Sequence, residues 1–199
     1  MLLHDPLPKY LESTAEVDYD HPSVQAFVRD SGWLEIGTVD RAEKAFRFVR
    51  DEVPHSWDIQ SPTVTCSASE TLAHRTGICY AKSHLLAALL RATGIPAGFC
   101  YQRLVLFEDP ADGYSIHALN AFYVESLDKW VRMDARGNKP GVDAQFSLEE
   151  ERLAFSIRPE MGEMDYPGVY AVPSAKVVQT LRVAQDARAM YAHDLPSEL

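Results

Sequence analysis

The chain has 199 residues, 46% of them hydrophobic and 24% charged, with a formal net charge of −10. That length suffices to bury the core of one domain, and the negative balance argues against nucleic acid or an anionic membrane surface as a partner. Three cysteines, an odd number in a chain too large to need staples, argue against a disulfide framework and for a reducing, cytoplasmic setting.

The opening MLLHDPLPKY is too short and too broken by proline to read as a secretory signal. Residues 2–20 carry an alternating patch (Tyr10, Glu12, Thr14, Glu16) and are expected as an exposed strand or arm. Residues 22–30 predict a short helix. A stronger one starts with Thr38 or Asp40 as N-cap. Ala42, Ala45, Phe46 and Val49 recur there at helical spacing, and Pro54 ends the pattern. Residues 56–69 read as a loop rich in serine and threonine.

From Cys79 the sequence is apolar on nearly every face, which predicts a central, buried helix; Gly94 and Pro96 stop it. Lys82, Ser83 and His84 interrupt the run and make it unfit to span a bilayer. Strands are expected over residues 99–107, 115–125 and 130–134. Residues 108–113 form the first turn, and residues 126–129 form a tight hairpin. Beyond Gly137 lies a loop-rich stretch, closed by an amphipathic helix from Ser174 to about His193. Helices, one buried helix and then a meander predict an α+β domain with an antiparallel sheet packed on the central helix. All 199 residues are expected to form a single domain.

A cysteine directly behind Gly77-Ile78 at a helix start has four readings: a small buried hydrophobe, half of a disulfide, a metal ligand or a nucleophile. Free N–H groups and the helix dipole at that position favour a thiolate, and a neighbouring imidazolium adds to this. His117 lies in the second strand and Asp134 at the end of the third. Histidine suits proton transfer near neutral pH, and an acid on its far ring nitrogen fixes the tautomer. A hairpin tip at Leu127–Asp128 puts His117 roughly opposite position 138, with Asp134 a few residues offset.

Three segments together resemble the transglutaminase-like superfamily, a papain-like fold, in its bacterial stand-alone form. Thr76-Gly77-Ile78-Cys79, with the run through Ala97, is similar to that family's nucleophile helix. Residues 117–124, from His117, are similar to its histidine strand, and Lys129-Trp130-Val131-Arg132-Met133-Asp134 to its acid-bearing strand. The resemblance covers residues 40–137, taken as the core, with residues 138–199 as a loop and helix cover. It implies Cys79 as nucleophile, His117 as general acid/base and Asp134 as orienting acid. Two departures bear on substrate choice: Leu119 stands where many relatives have an aromatic residue, and Ala135-Arg136 where many have proline and threonine.

One oxyanion donor is the Cys79 N–H by position; a second could come from Trp57, Gln60 or Gln102. Arg136 could hold a substrate carboxylate or form a surface ion pair. Cys66 and Cys100 read as buried or partly buried thiols, His74 and His84 as surface or loop residues, and Glu149-Glu150-Glu151 as a solvated helix face or first turn.

The resemblance implies acyl transfer through a thioester. A compact, acidic chain favours hydrolysis of a peptide or small amide over crosslinking. Such a mechanism needs no metal or organic cofactor, and none is expected. The competing reading is a non-catalytic domain that binds a peptide or partner in the same cleft. A coenzyme A-type thioester donor has less support, since no phosphate-cradling loop is present. Oligomeric state is not legible.

Overall fold

A computed structural model describes residues 5–107 and 109–199. Residues 2–4 of the expected arm and Glu108 of the expected turn lie outside them. In chain order come α1 (Pro22–Asp30), α2 (Thr38–Glu52), α3 (Ala68–His74), α4 (Cys79–Ala92), β1 (Ala97–Val105), β2 (Tyr114–Val124), β3 (Lys129–Met133), β4 (Met164–Asp165), α5 (Ala175–Val183) and α6 (Ala187–His193). The sheet is antiparallel, in the order β3-β2-β1-β4. This is the expected α+β architecture. No described helix is long and apolar enough to cross a membrane.

The fold is organised on α4, buried from Cys79 through Arg91. Its leucines and alanines share one core with Phe46 and Val49 of α2 and with Phe99, Ala118 and Phe122 of the sheet. The polar interruptions are inside as well, each met by a main-chain carbonyl. Lys82 Nζ donates to Val53 O, and the His84 ring meets Cys66 O at 2.7 Å. His84 is therefore not a surface residue: it is 1% exposed, and burial drops its imidazole to about 4. Near the other end, Arg91 donates to Ala97 O, Ala171 O and Glu12 O, tying three segments to the helix.

Asn120 Nδ2 donates to Ser83 O and Gly98 O, and the Tyr80 hydroxyl to Ile116 O at 2.8 Å. These bonds pin α4 to β1 and β2 from inside the core. Each buried bond contributes about 0.5–1.5 kcal/mol, and leaving such a group unpaired costs more.

Several expected elements differ. The opening segment is no exposed strand: it turns through a 3-10 helix (Leu7–Leu11) that buries Tyr10 against Trp130, Cys100 and Leu119 on a second core. The Tyr10 hydroxyl donates to Val169 O at 2.5 Å. The serine/threonine loop ends in α3, which Ser67 and Glu70 start with a reciprocal capping box. The C-terminal helix is two, because Asp186 caps a fresh start at Arg188 and Ala189. Residues 145–158 form no helix, and Glu151 instead pairs with Arg132 at 2.7 Å.

The β2–β3 register also departs from the expected one. A 3-10 turn (Glu125–Leu127) and a left-handed Asp128 (φ 47°) set Asn120 opposite Met133 and Val124 opposite Lys129. Extended past the ladder, that register brings residue 117 level with position 136 rather than 138.

A candidate active site at the start of the buried helix

Cys79 is the first residue of α4, with Ile78 as N-cap and no side chain capping the first turn. The first-turn N–H groups are therefore available to negative charge at the sulfur or on a bound oxygen. The approach to the helix is tightly held. Ser56 N donates to Gly77 O at 3.1 Å, Thr65 Oγ1 to Thr76 O at 2.9 Å, and the Ser56 and Thr76 hydroxyls meet at 3.1 Å. A Cβ at Gly77 would stand 2.9 Å from Ala81 Cβ and 3.0 Å from Thr65 Oγ1, so only glycine lets the chain pass there.

His117 and Asp134 come to Cys79 from the sheet. His117 Nε2 meets Asp134 Oδ2 at 2.7 Å, both residues being buried. The carboxylate also accepts Arg136 N and Ala154 N, each at 3.1 Å. With Nε2–H given to the acid, Nδ1 is left as the proton acceptor that can serve Cys79. Phe155 stands edge-on to the His117 ring, 5.2 Å between centroids and at 90°.

Burial works against a charge on His117. The Asp134 carboxylate, then the Cys79 thiolate, and hydrogen bonds to both outweigh it and raise the ring above its ordinary value. For Asp134 the same burial pushes up, while the His117 charge and bond and the two backbone donors hold the carboxyl below its ordinary value. The pair therefore favours imidazolium and carboxylate.

The three side chains meet at a cavity of about 550 Å³, open on one side; Cys79 and His117 line it, and Asp134 stands behind the ring. Trp57 lines this cavity with its face stacked on Tyr191 of α6, 4.6 Å between centroids and at 17°. Arg136 lines it too, its own side chain buried but ion-paired with Asp58, whose side chain is 24% exposed. Its Nη2 lies 2.8 Å from Asp58 Oδ1, Nη1 takes the other oxygen, and Lys139 adds a contact at 3.1 Å. Burial would raise the Asp58 carboxyl; the Arg136 bonds and charge prevail and hold it at about 2.

Gln60 and Gln102 do not reach the cavity. Gln60 turns its amide back to Trp57 O, and Gln102 gives its own to Asp165 at 3.1 Å. Three residues passed over in the sequence also line the wall: His55, Phe155 and Tyr191. Pro54 ahead of His55 was legible as a helix stop, but nothing local says that the next side chain turns toward Cys79. Among the described residues, no group of three or more His, Cys, Asp or Glu side chains converges as a metal site.

A family model described as the transglutaminase-like superfamily matches residues 25–135. Among solved structures, the chain is similar to a Cytophaga hutchinsonii protein proposed to be a cysteine protease, at 21% identity and a TM-score of 0.49, over 67% of this chain and 43% of that one. It is similar also to the periplasmic domain of TgpA from Pseudomonas aeruginosa, at 18% identity and a TM-score of 0.48, over 66% of this chain and 48% of that one. The chain thus spans less than half the length of either structure. No curated protein matches.

Proposed function

That this chain belongs to the transglutaminase-like superfamily is the premise from which we propose its activity: cysteine-dependent acyl transfer from an amide, with water as the acceptor. The observation that carries the reading is the convergence of Cys79, at the open first turn of a buried helix, with a His117–Asp134 pair at 2.7 Å on one cavity.

The steps follow from the groups present. His117 Nδ1 takes the Cys79 proton, and the resulting imidazolium is stabilised by Asp134. The sulfur attacks the carbonyl carbon of a peptide or small amide, and the carbonyl π pair moves onto oxygen beside the Cys79 N–H. Collapse breaks the C–N bond while His117 returns its proton to the leaving amine, leaving a thioester. A water that gives its proton to His117 then attacks the thioester, and the carboxylic acid leaves from Cys79. Arg136, with its guanidinium engaged by Asp58, shapes the wall beside Cys79 and does not grip a substrate carboxylate.

The test uses p-nitrophenyl acetate first, then a library of peptides and small amides, each with and without an added alkylamine. A burst of p-nitrophenol equal to one enzyme equivalent is expected, with one acetyl group on Cys79 by mass spectrometry. Cys79→Ser abolishes it and His117→Ala slows it. Turnover that survives Cys79→Ser removes the sulfur from the mechanism. Preferential transfer to the alkylamine would replace water by an amine as the acceptor. Slow, indiscriminate labelling of all three cysteines would favour a binding domain.

A further inference from the structure

His55 lies at the mouth of α4 without a partner. It is 3% exposed, it lines the cavity with Cys79 and His117, and its Nδ1 has no hydrogen-bond partner. Its backbone forms a bridge with Gly77, two positions before Cys79, so the loop carrying it is tied to the segment that carries the sulfur. The ring is held in place by Tyr191, edge-on at 5.7 Å and 88°. A buried imidazole with no acceptor is expensive to keep: an unsatisfied buried polar group costs about 1–3 kcal/mol. In His84, by comparison, one ring nitrogen, Nδ1, is met by Cys66 O at 2.7 Å. Nδ1 is sealed off without a partner, so the N–H that the His55 ring can give to the cavity is the one on Nε2.

We propose that His55 is a second oxyanion donor of this site: its neutral imidazole N–H, with the Cys79 backbone N–H, takes the substrate carbonyl oxygen as the sulfur adds to carbon. Resting on the acyl-transfer reading above, this assigns to His55 the role that sequence reasoning gave to Trp57, Gln60 or Gln102. The balance of the step is simple. The S–C bond forms, the carbonyl π pair becomes a lone pair on oxygen, and His55 donates a hydrogen bond without giving up its proton. The pair returns when the C–N bond breaks.

Neutrality is what the role requires, since a charged ring at this place would compete with His117 for the thiolate. Burial, then the Arg136 charge, with Lys82 and His117 adding to it against the opposing pull of Asp58, holds the imidazole well below its ordinary value. Burial and the neighbouring cations therefore favour the neutral ring, which can donate an N–H.

Two reagents separate this role from a structural one. Iodoacetamide alkylates a thiolate by displacement and builds no oxyanion; p-nitrophenyl acetate acylates through a tetrahedral intermediate that needs one. His55→Phe keeps the ring volume and removes the donor. Acylation of Cys79 is expected to slow by about 100-fold, the loss typical of one oxyanion donor, with alkylation within about twofold of the parent. His55→Asn, which restores an N–H, should recover part of the acylation rate.

Equal acylation in parent and His55→Phe overturns the proposal. So does an equal fall in both rates, which would make the ring a support for the thiolate pair. A 100-fold loss in Trp57→Phe with none in the His55 variants overturns it too. If His55→Phe does not fold, the unmodified protein decides the matter. With N-acetylglycinal forming a hemithioacetal on Cys79, a slowly exchanging imidazole N–H of His55 should appear in spectra of 15N-histidine-labelled protein, and its absence overturns the assignment. Failure of the acyl-transfer reading looks different: the parent would alkylate at Cys79 yet show no acetyl group there.

Discussion

Asp134→Asn tests the charge behind His117. All three donors around this buried carboxylate require an oxygen: Arg136 N–H on Oδ1, and both His117 Nε2 and Ala154 N–H on Oδ2. Asparagine has one oxygen, so whichever way it is turned its NH2 group opposes at least one backbone N–H. An orphaned buried donor costs about 1–3 kcal/mol and breaking a buried ion pair about 3–5 kcal/mol. Because His117 can shed its proton, a loss of about 2–4 kcal/mol is expected, roughly 1 M in the urea midpoint.

The same change weakens the imidazolium that stabilises the thiolate. Removing one charge-assisted bond of about 1.5–3 kcal/mol slows acylation by p-nitrophenyl acetate about 10- to 100-fold. The pH dependence carries the sign. The folded Asp134 carboxyl is depressed, so its contribution stands above the ordinary carboxylate value near 4 and is lost as pH falls through the folded value. The folded His117 ring is raised, so its contribution is complete below about 6.5 and is lost as pH rises through the folded value. Urea curves of the two proteins should differ most between about pH 4 and 6.5, and the gap should narrow on either side, at alkaline pH to the cost of the opposed backbone N–H. A difference that stays flat from acid to alkaline pH, or an unchanged midpoint, refutes the reasoning.

Three further outcomes are expected. Iodoacetamide at neutral pH should modify Cys79 ahead of the other cysteines, because burial pushes the Cys100 thiol up to about 12 and also raises Cys66; peptide mapping showing Cys66 first would count against the cleft. Lys82→Met should stabilise the protein near neutral pH, since burial lowers the Lys82 ammonium to about 7. Between that value and the unfolded one near 10.4 the unfolded chain holds the extra proton, so parent stability rises with pH, and the variant's advantage should shrink by up to about 1.4 kcal/mol per pH unit. Gly98→Ala should cost about 1–3 kcal/mol in urea unfolding by overpacking, because the new methyl would stand 2.6 Å from Val169 Cγ1 and 2.8 Å from Tyr170 O. An unchanged midpoint would show that the arm across β1 yields freely.

What the sequence made legible was what depends on near neighbours. The periodicity of α2, the apolar run of α4 and the alternation of the hairpin placed those elements within about two residues. α3 was hidden in a serine-rich stretch although Ser67 and Glu70 carry its capping signal. His84 read as a surface residue and Lys82 only as a break in the apolar run, because the carbonyls that receive them belong to Cys66 and Val53, on other segments. Cys79, His117 and Asp134 could be named because each sits in a recognisable local run. His55, Phe155 and Tyr191 could not, since the fold alone brings their three loops and helices to one cavity.

The chemistry and the enclosure of this cavity come from different parts of the chain. The sulfur is fixed to α4 and the imidazole to β2, pinned together by Tyr80 and Asn120. Much of the wall is contributed by residues 136–158 and by α6, through Arg136, Lys139, Phe155 and Tyr191. On the proposed acyl-transfer reading, new preferences are to be sought at wall positions that do not touch Cys79, His117 or Asp134. In a laboratory search for altered selectivity, Lys139 and the adjoining wall residues Pro140, Gly141 and Val142 are the positions to diversify, and Ala154, Phe155 and Tyr191, which touch Asp134, His117 and His55, are left alone with the helix and sheet.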